Sequence, residues 1–178
     1  MSHARPTAAI VTVSDRAFAG EYEDKGGPGC EAWLRGVVIS PLDIERSIIP
    51  DGRASVRDKL RALVSLEADL ILVTGGTGPA PRDETPEAIA DILDKELLGF
   101  GEEMRRASLE EVPTAILSRQ TAGIAGKSLI ISLPGKPSAI ATCLNRVFAS
   151  VPYCLDLIGA GYIETDPSKI KAFRPKAK

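Results

Sequence analysis

The sequence predicts a single α/β domain built on a mostly parallel sheet, and three observations carry that expectation. Residues 70–74 and 128–133 are two short apolar or β-branched runs, the pattern of strands buried on both faces of a sheet. Each run feeds a glycine- and proline-rich loop, 75–79 and 134–137, and each loop leads to a proline placed to open a helix, Pro86 and Pro137. Between the first strand and the central one, Val56, Leu60, Leu63 and Val64 recur at helical spacing, with Arg57, Asp58, Lys59 and Arg61 on the other side. With 178 residues, 44% of them hydrophobic, the chain is long enough to bury one core as a single domain. Residues 1–6 read as a disordered start and 166–178 as a C-terminal tail.

In chain order, residues 8–13 form the first strand, ending in the polar triplet Ser14, Asp15 and Arg16. That triplet is either a solvated turn, with Asp15 pairing Arg16 or capping amides, or a ligand contact. Residues 24–29 read as a flexible connector to a helix carrying Trp33, which is expected in the core. Leu42, Ile44, Arg46 and Ile48 alternate with polar neighbours up to Pro50, as in a strand nearer a sheet edge. Asp51-Gly52 closes that strand, as a turn or as part of a site. A helix over 54–66 returns the chain to the strand at 70–74.

Thr85, Pro86 and Glu87 read as N-cap, first helical residue and first-turn acid of a helix to residue 93. The glycines at 99 and 101 are expected to interrupt before a second helix over 102–109, which Pro113 breaks. A helical turn near 116–120 and a strand within 122–126 precede the buried strand at 128–133. Pro137 opens a helix through Leu144 and Val147, and residues 150–158 form the last helix. The basic stretch 173–178 is expected to be solvated.

Composition excludes several functions. Lys and Arg number 22 against 24 Asp and Glu, a net charge of -2, which lacks the positive field of a general nucleic-acid binder. Aromatic residues are only 4% of the chain, too few for base-stacking platforms. Cys30, Cys143 and Cys154 have no paired spacing and His3 is the sole histidine, which argues against a zinc site and fits a reducing compartment. No apolar run approaches the roughly 18 residues of a membrane span, so a cytoplasmic protein is expected.

The loop at 75–79 is the most informative stretch. Gly75, Gly76 and Gly78 let backbone amides approach a ligand, yet neither the lysine ending of a P-loop nor the spacing of a dinucleotide motif is present. Helix N-termini at this loop and at 134–137, with Lys136 adding a charge, would make a phosphate-binding cleft. A sharp connector is the plainer alternative for the loop, as a surface lysine is for Lys136.

The stretches TVSDR at 12–16, DKG at 24–26, IPD at 49–51, TGGTGP at 74–79, RDETP at 82–86, GFGEEM at 99–104, LSR at 117–119 and LPGKP at 133–137 closely resemble the molybdopterin adenylyltransferases of molybdenum-cofactor synthesis, the MogA/MoaB-like family. They run in family order, and the tail from Phe148 resembles the bacterial MogA branch. The resemblance implies a three-layer α/β/α fold, usually a homotrimer, in which ATP and magnesium adenylylate the terminal phosphate of molybdopterin. It carries the essential acids onto Asp51 and Asp83, both also expected to hold Mg2+. Binding roles carry onto Ser14, Asp15, Arg16, Thr74, Gly75, Gly76, Thr77, Gly78, Arg82, Thr85, Pro134, Gly135, Lys136 and Ser138. Molybdopterin and ATP are then the substrates, and transient contact with other cofactor-synthesis proteins is expected. The segment between Leu144 and Phe148 is shorter than in the family pattern. A non-catalytic pterin-binding or scaffolding protein is the alternative, and retention of both acids weighs against it.

Overall fold

The computed structural model describes residues 5–175; residues 1–4, with His3, and 176–178 lie outside the described residues. The strands are β1 (Thr7–Val13), β2 (Asp43–Ile49), β3 (Leu70–Thr74), β4 (Lys95–Glu96), β5 (Ala122–Ala125) and β6 (Ser128–Leu133). They make one sheet in the order β2-β1-β3-β6-β5-β4. The first four in that order are parallel, and β5 and β4 add on as an antiparallel edge.

The helices are α1 (Asp15–Phe18), α2 (Gly26–Val37), α3 (Arg53–Ser65), α4 (Thr85–Ala90), α5 (Leu98–Leu109), α6 (Pro137–Val147) and α7 (Val151–Ile158), with 3-10 turns at Pro113–Leu117 and Phe148–Ser150. Alternate strand residues divide the core in two. Ile10, Leu72 and Ile131 face a layer with Leu34 of α2, Leu144 of α6 and Leu155 of α7. Val11, Ile71, Val73 and Ile130 face Val56 and Leu60 of α3 and Ile89 of α4. All five β3 residues are buried, which is why this strand reads as an uninterrupted apolar run, whereas the exposed alternation in β2 follows from its place at the edge.

Register sets the site. Val13 pairs with Ile49, Thr12 with Thr74, and Thr74 with Leu133, so four parallel strands end almost flush at one edge of the sheet. From β1 the chain crosses by α2 to β2 on one side, then by α3 back over β1 to β3 on the other. That reversal opens a crevice between the carboxyl ends of β1 and β3.

Several elements differ from the sequence expectation. Residues 24–29 are not a connector: α2 begins at Gly26 because the Asp24 carboxylate accepts the amides of Gly26 and Gly27 at 2.9 and 3.1 Å. Trp33 packs at the margin of the core, half-buried and edge-on to fully buried Phe148 at 4.8 Å, with its indole N–H donating to Asn145 at 2.9 Å. Gly99 and Gly101 lie inside α5, where a Cβ on Gly101 would stand 2.4 Å from the Gln120 carbonyl oxygen. The glycine is there for close packing, not to break the helix. Helix α4 starts at Thr85 with Glu84 in the cap position and ends at Ala90, short of residue 93.

The termini are less free than expected. Pro6 accepts the Asp43 amide at 2.9 Å, so residues 5–6 are placed against the sheet. In the tail, Ile170 is buried, the Phe173 amide donates to Ala149, and Arg174 pairs with Asp156 while stacking over Tyr162 at 4.5 Å.

Candidate active site

Each parallel strand delivers its following residues to the same rim. After β1, Ser14 caps α1 by accepting the Ala17 amide at 3.2 Å, and its own amide donates to Ile49 at 3.0 Å, drawing the ends of β1 and β2 together. Asp15 and Asp51 complete that junction reciprocally: the Asp15 amide donates to Asp51 Oδ2 at 2.7 Å, and the Asp51 amide to Asp15 Oδ1 at 3.0 Å.

Arg82 crosses from the next loop. Its Nε and Nη2 donate to the two Asp15 carboxylate oxygens at 2.6 and 2.9 Å, and Nη2 also reaches the Asp51 carbonyl at 2.8 Å. The Arg82 hydrogen bond holds the Asp15 carboxyl below its ordinary value, with the Asp51 amide adding to it. Asp15 therefore pairs with Arg82, not with its neighbour Arg16. Arg16 is exposed and lies over the Tyr22 ring at 5.5 Å.

The glycine loop starts from a fixed base. Thr74 donates its hydroxyl to the Pro134 carbonyl at 2.8 Å, and the Gly75 amide donates to Leu133 at 3.1 Å. Gly75 and Gly76 have φ of 102° and 63°. A Cβ on Gly75 would lie 2.3 Å from the Val13 carbonyl oxygen, so here backbone runs against backbone across the crevice and only glycine fits. Thr85 closes the loop, its hydroxyl donating to Gly75 at 3.0 Å and its amide to Gly76 at 3.1 Å. The first amide of α4 is thus already used, and Thr85 acts as a loop latch instead of an N-cap.

Asp83 sits in a turn over 80–83, where its amide donates to Ala80 at 2.9 Å and its Oδ2 accepts the Ala80 amide at 3.1 Å. Among the described residues, Oδ1 of Asp51 and of Asp83 each takes no hydrogen bond from the protein. Both carboxylates are half-buried on adjoining loops, and the Arg82 side chain ties the Asp51 backbone carbonyl to the Asp15 carboxylate beside them. At the far side of the crevice, the loop of Pro134, Gly135 and Lys136 leads into α6, with Lys136 and Ser138 exposed at the mouth. Thr77 is buried beneath.

Two residues outside the candidate set hold this rim together. Asp24, besides capping α2, accepts the Thr12 hydroxyl at 2.9 Å. Arg119 donates its amide to Thr77 at 2.8 Å and its Nε to the Gly78 carbonyl at 3.0 Å, and its other nitrogens reach the Asp83 carbonyl and the Glu87 carboxylate. Their only sequence signal was membership of the DKG and LSR stretches, because their partners are distant in the chain.

The arrangement is an α/β ligand crevice at a switch point, lined by a glycine backbone, the half-buried carboxylates of Asp15, Asp51 and Asp83, and Arg82. Residues 9–153 match the probable molybdopterin binding domain family, and the chain belongs to it. It is 46% identical over 181 residues to the molybdopterin adenylyltransferase of Escherichia coli K12, covering 94% of this chain and 93% of that one. Against the Helicobacter pylori J99 protein of the same name, identity is 48% over 168 residues, covering 94% and 96%. Among solved structures, the molybdopterin biosynthesis enzyme MoaB of Thermus thermophilus superposes with a TM-score of 0.79 at 38% identity, covering 88% of this chain and 98% of that one.

Proposed function

We propose that this protein is a molybdopterin adenylyltransferase, transferring AMP from ATP to the terminal phosphate of molybdopterin in molybdenum cofactor biosynthesis. The observation that carries the reading is near-full-length likeness, at 46% and 48% identity, to two enzymes of that name, in a chain that keeps both Asp51 and Asp83 on its crevice loops. In the reaction, an oxygen of the pterin phosphate attacks the α-phosphorus of ATP. The bond from that phosphorus to the α,β-bridging oxygen breaks, and its electron pair leaves with pyrophosphate. AMP and the pterin end joined through a new phosphoanhydride.

Several negative charges meet in that step, and the protein's part is to place and neutralise them. The amides of Gly76, Thr77 and Gly78 bind phosphate oxygens, Ser14 and Thr85 set the loops, and Arg82 and Lys136 supply positive charge. Arg16 and Ser138, exposed at the rim, contact the substrates' outer parts. Bound Mg2+ would shield the triphosphate and polarise the phosphorus under attack. The donor set suits such an ion. No cluster of three or more acidic, histidine or cysteine groups forms a cage among the described residues, while Asp51 and Asp83 each keep an oxygen free. Magnesium is commonly held by one or two carboxylates plus substrate phosphates.

The functional assembly in this reading is a homotrimer. Leu109, Val112, Ile116 and Leu117 are 42 to 70% exposed along one stretch, an apolar surface of the kind a subunit contact covers; light scattering tests it. No helix among the described residues is long and apolar enough to cross a membrane, which suits work in the cytoplasm beside other cofactor-synthesis proteins. The test of function is incubation with fresh molybdopterin, ATP and magnesium. Adenylylated pterin and pyrophosphate in equal amounts are expected. Pterin binding without product would favour the scaffolding alternative.

A further inference from the structure

The loop carrying Arg82 and Asp83 is held from two sides, and only one of them belongs to the site already described. On the β1 side, Arg82 grips Asp15 and Asp51. On the other, Arg119 rises from a segment anchored independently to the sheet. The Thr121 amide donates to Ser132 Oγ at 2.7 Å, that hydroxyl donates to the Thr121 carbonyl at 3.0 Å, and the Gln120 carbonyl accepts from Arg105 at 2.7 Å. Ser132 is fully buried and Gln120 nearly so, so Arg119 springs from a rigid base.

From there its guanidinium takes three acceptors spread from the loop into α4: the Gly78 carbonyl before the 80–83 turn, the Asp83 carbonyl within it, and the Glu87 carboxylate in the first turn of the helix. Within the turn itself, among the described residues, the backbone has the Asp83-to-Ala80 and Glu84-to-Arg82 bonds and the Ala80 amide's bond to Asp83 Oδ2. A planar fork with donors in fixed directions suits such divergent oxygens, and a lysine ammonium does not reproduce it. Glu87 is committed to this pairing, since its second oxygen is buried with no partner among the described residues. Burial works to raise the Glu87 pKa, but the Arg119 hydrogen bond and the charges of Arg119 and Arg53 outweigh it and hold the group below its ordinary value.

We propose that Arg119 is a positioning residue for AMP transfer: by strapping Gly78, Asp83 and Glu87 to one guanidinium it holds the glycine-loop amides and the Asp83 carboxylate in register with each other. It acts through those groups and does not touch the substrates. The proposal rests on the adenylyltransferase reading for its catalytic half.

A misplacement near 1 Å costs about 100-fold in rate, so Arg119→Ala is expected to lose about that factor in kcat per folded molecule, with KM for ATP changed only a few-fold. Arg119→Lys, keeping the charge but not the fork, is expected to lose about tenfold. Added guanidinium ion should restore part of the rate to the alanine variant and none to wild type. Amides over 77–84 should exchange at least about tenfold faster in Arg119→Ala while those of β3 stay protected. Arg119→Ala combined with Glu87→Gln removes the stranded carboxylate; persistence of the kcat loss there assigns it to the loop. Unchanged loop exchange, or a loosened loop with wild-type kcat, would overturn the proposal. If wild type transfers no AMP while the loop loosens in the variant, the enzyme reading fails and Arg119 is a structural strap alone.

Discussion

Gly75→Ala is the sharpest perturbation the fold offers. The residue has φ 102°, a region side chains rarely adopt, and an added Cβ would lie 2.3 Å from the Val13 carbonyl oxygen. Ordinary contact begins near 3.4 Å, so β1 and the loop must part by about 1.1 Å, and both are backbone. Backbone strain of this kind costs about 1–3 kcal/mol and forced overpacking about another 1–3 kcal/mol, together about 2–6 kcal/mol. For a chain of this size that lowers Tm by roughly 5–20 °C. The same displacement opens the crevice where phosphate binds and should lower transfer by about 100-fold. Gly135→Ala is the control: nothing lies within 4 Å of its Cβ position, so its stability should stay within about 0.5 kcal/mol of wild type. Thermal and urea denaturation of both, with transfer measured on the folded fraction, make the test. A Gly75→Ala protein melting within a degree or two of wild type would refute the close-approach argument.

The Asp15–Arg82 pair predicts an acid-side effect. Arg82 depresses the folded pKa of Asp15 below its unfolded value, so the pair's contribution is complete above about pH 4 and is lost as pH falls through the lowered folded value. The drop in urea midpoint on acidification through that window should be smaller in Asp15→Asn than in wild type, and identical drops would remove the pair from the account. Thiol reactivity should follow burial. Cys30 is fully buried with its pKa pushed up to about 12 by desolvation, Cys143 is buried and also raised, and Cys154 is only partly covered. In native protein a disulfide reagent should therefore reach Cys154 first and leave Cys30 intact until denaturant is added; early loss of Cys30 in peptide mapping would contradict the packing of α2.

Strands β3 and β6 were legible because burial on both faces leaves only apolar runs, and the loops after them because glycine and proline punctuate the chain. The same rule failed where glycine serves packing. Gly26 and Gly27 open α2 under the Asp24 cap, and Gly101 lies inside α5 against Gln120, so breakers by type are helix residues by context. Strand β4 is two residues, lysine and glutamate, with no pattern to read. For the candidate residues, their common rim was legible, since order along the chain places the residues after each parallel strand on one edge of the sheet. The side-chain links between loops were not. Asp15 with Arg82 and Arg119 with Gly78 span 67 and 41 residues, and no local signal encodes a contact across that separation.

The proposed function places AMP transfer on Asp51 and Asp83 in this crevice. It is tested most directly by following α-labelled ATP into the pterin in a single turnover, with wild type, Asp51→Asn and Asp83→Asn side by side. Each asparagine retains a carbonyl oxygen to accept the Asp15 or Ala80 amide, so both variants should fold and melt near wild type. Labelled pterin is expected from wild type, with a loss of about 100-fold or more from each variant. Full transfer by either folded variant would contradict it.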